Sequence, residues 1–270
     1  MGIQVEFFGA TGEVTGSCHL VTVGSHRILL DCGLIQGRHQ DEARNREDFP
    51  FDPASIDAVV LSHAHIDHSG RLPLLVKAGF EGTIYTHRAC RDLCKIMLKD
   101  SAFLYEKDVE WENRKRARKG LKPVEPMYTI DDAARALTHF KGLVYQKPTK
   151  ILPNVKLQLN DAGHILGSSI VELWLKDEGQ QRKLVFSGDL GRSGMPILED
   201  PTNIDEADLV IMESTYGDRL HRSWDETHNE ITEVLSTTTS ASGNILIPAF
   251  AVGRTQELLY LFAKYYKDWN

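Results

Sequence analysis

Six residues, His63-Ala64-His65-Ile66-Asp67-His68, constrain this chain more than any other stretch. The apolar run Val59-Val60-Leu61 leads into them and Gly70 closes them. Three of the chain's 11 histidines fall in this window beside an aspartate, a poor way to end a core strand and a good way to build a metal site. In an extended segment side chains alternate between faces, so His63 and His65 project to one side and can share an ion through neutral imidazole nitrogens. Asp67 and His68 follow as the chain turns into a helix, within reach of a second ion. Zinc suits nitrogen and carboxylate ligands at about 2.0–2.2 Å, and manganese or iron accept the same ligand types. A histidine-rich surface turn is the bland alternative, and the density of the cluster directly after a strand speaks against it.

The pattern His63-x-His65-x-Asp67-His68 resembles the signature of the metallo-β-lactamase superfamily, and the match runs along nearly the whole chain. The resemblance implies an α/β fold, an αββα sandwich, with metal held where strands end. The strand Arg27-Ile28-Leu29-Leu30 delivers Asp31, a carboxylate expected to accept hydrogen bonds from the ligand loop and to fix ligand orientation; the matching family aspartate has that supporting role. Val155-Lys156-Leu157-Gln158-Leu159 alternates as a half-buried strand and leads to His164 on a glycine-bounded turn. Alone, His164 reads as a structural histidine; in the family pattern it becomes the third imidazole on the first ion. Lys183-Leu184-Val185-Phe186 delivers Asp189, whose two oxygens can bridge two cations, against the plainer reading of a loop cap.

The length of 270 residues allows a large core and more than one domain. The absence of an 18-residue apolar run argues against a membrane span, and the N-terminal segment lacks the regions of a signal peptide. Cys90 and Cys94, four apart on a predicted helix, read as small buried residues, and a reducing cytoplasm is the expected compartment. A net charge of −7 argues weakly against electrostatic coating of nucleic acid.

Gly9 to Ser17 forms a glycine-rich connection between strands at 5–8 and 19–23, read first as a tight turn and second as a phosphate cradle. Residues 34–55 are loop-like. A helix is predicted over 72–79, a strand over 83–86, and a long helix over 88–119 with Leu93, Ile96, Met97, Phe103 and Leu104 as its core stripe. Its basic end, Arg114-Lys115-Arg116-Ala117-Arg118-Lys119, reads first as a solvated face and second as an RNA contact. A further helix is predicted over 131–140, capped by its N-terminal aspartates.

Two later stretches narrow the family. Asp208-Leu209-Val210-Ile211-Met212-Glu213 is a predicted strand ending in a carboxylate, and Gly243 to Leu259 reads as a strand, a bend and a helix containing Ile247-Pro248-Ala249-Phe250-Ala251-Val252-Gly253-Arg254. With the early glycine-rich loop, both resemble the β-CASP branch of nucleases, which includes ribonuclease J and the endonuclease of pre-mRNA cleavage and polyadenylation. The implied activity is metal-dependent hydrolysis of RNA phosphodiesters with two zinc ions, manganese being the alternative metal. Catalytic roles fall to Asp31, Asp67 and Glu213. The expected metal ligands are His63, His65, Asp67, His68, His164 and Asp189, and Arg254 near a helix start is the expected nucleic-acid contact, able to hold a phosphate bidentately. Arg254 pairing with Glu257, and Glu213 capping a turn, are the plainer readings of those two residues.

The expected division is a lactamase domain over 1–205 and the start of an inserted β-CASP domain over 206–270. In the family the chain then returns with two more histidines, so this sequence reads as C-terminally truncated, with an incomplete sandwich and a second metal site short of one ligand. RNA is the expected partner, with a homodimer as an open option and no membrane. A small-molecule ester, thioester or lactam hydrolase is the competing enzyme reading. An inert fragment or a non-catalytic RNA-binding homologue is the third.

Overall fold

A computed structural model describes residues 2–240, 243–267 and 269. The expected outer bounds of the two domains, Met1 and Asn270, lie outside the described residues.

Two sheets form the body. The first follows chain order: β1 (Gln4–Phe7), β2 (His19–Val23), β3 (His26–Leu30), β4 (Ala58–Val60), β5 (Thr83–His87) and β6 (Phe140–Leu143). Between them lie α1 (His39–Ala43), α2 (Ile66–Ser69), α3 (Leu72–Lys77), α4 (Arg88–Arg118) and α5 (Ile130–Leu137). The second sheet orders β7 (Thr149–Leu152), β8 (Val155–Asp161), β9 (Ser169–Asp177), β10 (Gln180–Phe186) and β11 (Leu209–Ile211) as β11-β10-β9-β8-β7. Two helices follow, α6 (Trp224–Ser240) and α7 (Arg254–Lys264).

Strand alternation divides the core in two. Leu20, Leu29, Val59 and Ile84 face α3, α4 and α5, packing on Leu72, Leu75, Cys94, Leu98 and Ala133. Their neighbours Val21, Ile28, Leu30 and Val60 face the second sheet and meet Leu157, Leu159, Leu173 and Phe186. The layers are therefore helix, sheet and sheet, as the two-unit period of a strand buried on both faces dictates. The outer face of the second sheet is polar, with Gln158 and Asn160 both donating to Glu172 Oε1, at 3.0 and 2.7 Å.

The topology sets the site. β3 and β4 are parallel neighbours, so Asp31 and the Ser62-His63 step leave the sheet at the same edge. β8 and β10 both run antiparallel to β9, hence parallel to each other, and their C-terminal ends open on one rim. Their two exit loops touch there, with Gly191 N donating to Ala162 O at 2.8 Å.

Several expectations need correction. The buried stripe of α4 is Cys90, Cys94, Leu98, Ala102 and Val109, while Ile96, Phe103 and Leu104 are exposed. Leu93 and Met97 of the expected stripe do pack against the core, partly buried, beside the small Cys90, Cys94 and Ala102. Phe140 opens β6 instead of closing a helix, because α5 ends at Leu137 and residue 140 pairs with Ile84. Residues 243–250, expected to begin as a strand, join no ladder, and Leu246 and Phe250 are solvent-exposed. An isolated strand leaves its backbone groups without ladder partners. The 34–55 stretch contains α1 and two short 3-10 turns.

Candidate metal centre

Three ring nitrogens and one carboxylate oxygen converge at the rim. His63 Nε2 and His164 Nε2 each lie 3.1 Å from His65 Nδ1. Asp189 Oδ2 stands 3.7 Å from His63 Nε2 and 3.5 Å from His164 Nε2. One ligand atom from each of these four residues falls within 4.8 Å of all the others. A tetrahedron around an ion with ligands at about 2.0–2.2 Å has edges of roughly 3.3–3.6 Å, and the observed separations bracket that value.

The hydrogen-bond network assigns the lone pairs. Ser62 Oγ donates to Asp31 Oδ2 at 2.9 Å. The 3.1 Å contact between Ser62 Oγ and His63 Nδ1 is then a donation from the ring, which leaves the lone pair of His63 on Nε2, facing the cluster. The Val252 backbone holds the His65 imidazole by a second hydrogen bond. Burial, the largest influence on each ring, lowers the pKa of His63 well below the ordinary 6.5, lowers that of His65, and takes His164 down to about 4. Three neutral acceptors pointing at one another repel unless a cation lies between them. The donor set fits a divalent ion.

A second group surrounds the other oxygen of Asp189. His68 Nε2 lies 3.1 Å from Asp189 Oδ1 and 3.7 Å from Asp67 Oδ2. Its Nδ1 donates to Asp31 Oδ2 at 2.6 Å. Burial lowers the His68 pKa, but the charges and hydrogen bonds of Asp31 and Asp189 outweigh it and raise it well above the ordinary 6.5, so in the metal-free site Nε2 donates to Asp189 Oδ1; an ion displacing that proton would meet the Nε2 lone pair. Asp189 thus presents one oxygen to each group. Burial raises the Asp67 carboxyl pKa. For Asp189 burial pushes upward too, but the hydrogen bond and charge of His68 outweigh it and the net shift is downward.

Asp31 is fully buried and touches no cluster atom except through His68. It accepts from Ser62 N at 2.7 Å and from Ser17 Oγ at 3.1 Å as well. Its φ of +59° is a left-handed conformation that aspartate tolerates better than most residues.

Glu213 lies beside the Asp189 loop, its Oε1 accepting from Leu190 N at 2.7 Å. Arg254 starts α7 with its side chain 61% exposed and Nη1 2.8 Å from Glu257 Oε2. It is two residues beyond Val252, the His65 contact. Both plainer readings of these residues thus have geometric counterparts. Sequence reasoning missed Ser17, Ser62 and the Val252 backbone. The position of Ser62, one residue before the first ligand, was the available signal for it; nothing in the sequence singled out Ser17 within its glycine-rich turn.

A profile described as the metallo-beta-lactamase superfamily matches residues 11–144. Ribonuclease TTHA0252 of Thermus thermophilus is 43% identical over 254 residues, covering 94% of this chain and 53% of that protein. The chain belongs to the metallo-β-lactamase superfamily. Transcription termination factor FttA of Methanocaldococcus jannaschii is 35% identical, over 98% of this chain and 40% of its own. An RNase J-like protein of the same organism is 29% identical, over 98% of this chain and 56% of its own. The chain therefore spans about half the length of the curated relatives it matches. Metallo-β-lactamase membership and the His/Asp cluster together imply use of a divalent metal. No described helix is long and apolar enough to cross a membrane.

Proposed function

We propose that the protein is a zinc-dependent ribonuclease of the β-CASP branch that hydrolyses RNA phosphodiesters at a two-ion centre. The observation that carries this reading is the split of Asp189, with Oδ2 toward His63 and His164 and Oδ1 toward His68. Similarity to Ribonuclease TTHA0252 along 94% of the chain supports RNA as the polymer.

His63, His65 and His164 would hold the first ion with Asp189, and Asp67, His68 and Asp189 would hold the second. When bound, two such cations polarise a phosphate and bring the pKa of water toward ~7. Asp67, whose Oδ2 lies 3.7 Å from His68 Nε2, would orient the attacking water in line with the phosphorus. Asp31 keeps His68 in the tautomer that leaves Nε2 free. Glu213 keeps Oε1 on Leu190 N, and its other oxygen would take up the proton released by the attacking water and hand it to the departing 3′ oxygen. Arg254 takes a non-bridging phosphate oxygen by exchanging its bond to Glu257. Residues from 206 onward begin the inserted domain. The four buried free cysteines fit a reducing cytoplasm, and a homodimer is the assembly to test by mass measurement.

The test uses the full-length protein with 5′-labelled RNA and nitrocefin side by side. Zinc-restored cleavage of RNA after chelation, with no nitrocefin turnover, is the expected result. It should vanish in His65→Ala and Asp189→Ala; full RNA cleavage by either variant, or lactam hydrolysis alone, would overturn the assignment.

A further inference from the structure

The far end of α4 carries a cationic surface that the metal centre does not use. Arg114, Lys115, Arg118, Lys119 and Lys122 are all exposed, and none of them forms an ion pair among the described residues. Of the acids around them, Glu110 pairs with Lys107 and Glu112 with Arg116, and between residues 111 and 122 Glu112 is the single acid against six lysines and arginines. The local field is therefore positive on a chain whose formal charge is −7.

This surface is built. Leu121 N donates to Arg116 O at 3.0 Å and Gly120 N to Ala117 O at 3.1 Å, a Schellman-type closure. Arg116 Nε donates to Lys122 O at 2.7 Å, and Asn113 is bonded to the Val124 backbone in both directions, at 2.9 and 2.8 Å. One turn before the cations, Trp111 is 61% exposed, with Lys115 Nζ 3.0 Å from its ring centroid. An exposed aromatic ring among unpaired cations on an ordered backbone is the composition of a single-strand platform, where bases stack and phosphates are neutralised. Cations also favour a helix C-terminus electrostatically, but that effect asks for no exposed tryptophan.

Resting on the ribonuclease reading, we propose that the C-terminal end of α4, through Trp111, Arg114, Lys115 and Lys119, is a second RNA contact that anchors the substrate strand away from the metal centre. The other end of the helix lies at the rim: His87, its N-cap, stacks on Tyr145 at 3.9 Å, and Tyr145 Oη donates to Ser168 O in the His164 loop at 2.7 Å. A helix of 31 residues is about 46 Å long, which a stacked strand covers in about 13 nucleotides at ~3.4 Å each.

The test is binding of a fluorescein-labelled 30-nucleotide single-stranded RNA to the full-length, metal-chelated protein, followed by anisotropy across a salt series. Three proteins are compared: wild type, the triple variant Arg114→Ala/Lys115→Ala/Lys119→Ala, and a charge-matched control, Lys147→Ala/Lys150→Ala/Lys176→Ala. The platform variant is expected to bind tenfold or more weakly at 0.1 M salt and to lose about 2 from the log–log salt slope, since each single-strand phosphate contact contributes ~0.7. Trp111→Ala should weaken binding about tenfold through lost stacking. The control should match wild type. Equal weakening of platform and control variants, an unchanged platform variant, or no RNA binding by wild type overturns the anchor. A wild type that binds through this surface but never cleaves the RNA when zinc is restored removes the nuclease reading and leaves the anchor standing.

Discussion

Asp31 Oδ2 lies 2.6 Å from His68 Nδ1 at the base of the site, although the two residues are 37 positions apart. Its neighbours fix this contact from three further directions through Ser17 and Ser62. Over-determination of this kind is what keeps a residue in a left-handed conformation. Replacing the carboxylate by an amide, Asp31→Asn, keeps the shape and removes the charge that selects the His68 tautomer. Affinity for the more weakly held of two zinc ions is expected to fall roughly 10- to 100-fold. Zinc titration by calorimetry measures it, and two unchanged binding steps would refute the role.

Gly33 packs against the ligand loop with no spare room. A Cβ there would stand 1.6 Å from Asp67 O, so Gly33→Ala forces the backbone of α2 away from Asp31. A loss of about 3 kcal/mol or more is expected. Gly12 gives the contrast, because its φ of +71° meets open space and Gly12→Ala costs about 1 kcal/mol from conformation alone. Urea unfolding of the two metal-free variants checks the ranking, which similar losses would contradict.

His164 gives the metal-free fold a pH dependence of known sign. Its folded pKa of about 4 lies below the ordinary 6.5, so the unfolded chain takes up the proton first as pH falls. Stability is therefore complete above pH 6.5, is lost between about 6.5 and 4, and changes no further from this ring below 4, with a total of at most about 3 kcal/mol. His63 and His65, also lowered by burial, act in the same direction. Compared with metal-free wild type, His164→Asn should lose less stability on acidification from pH 7 to 4. Parallel unfolding curves across that range would exclude the assignment.

Arg254 and Glu257 offer a test of phosphate binding that does not depend on catalysis. Glu257 is nearly buried and holds the guanidinium at 2.8 Å. Arg254→Ala is expected to raise the RNA Kd about tenfold, the scale of one charge-assisted hydrogen bond. Glu257→Gln, which releases the guanidinium, should lower the Kd. Binding to metal-free protein reads both, and an unchanged Kd in the two variants would leave Arg254 with a structural role only.

Much of the site was legible because strand ends advertise themselves. Asp31, His63 and Asp189 each follow an apolar run that becomes β3, β4 or β10, and a carboxylate or imidazole after such a run has few other reasons to be there. His164 was readable only in company, since a turn histidine looks ordinary until β8 and β10 are known to end on one rim. Ser17 was hidden because its bond to Asp31 crosses a turn that sequence periodicity does not describe. The α4 core stripe was legible only at Leu93 and Met97, because three of its five buried positions are two cysteines and an alanine, which carry little hydrophobic signal. The strand β9, with Ile170, Val171, Leu173 and Leu175 inside, went unassigned through its length and mixed polarity. The long helix α6 lay in a polar stretch without an apolar face strong enough to stand out.

The first cluster draws two rings from the exit of β4 in one sheet and a ring and a carboxylate from the exits of β8 and β10 in the other. An ion seated there would be a rivet through both halves of the sandwich, tying together layers that otherwise meet through side-chain packing and a few hydrogen bonds such as Ser169 N to Ser62 O and Gln146 N to Leu159 O. Occupancy would then add to fold stability in proportion to the logarithm of free zinc. Chelation would slacken this rim first and leave the far edge, at β1 and β7, as tight as before.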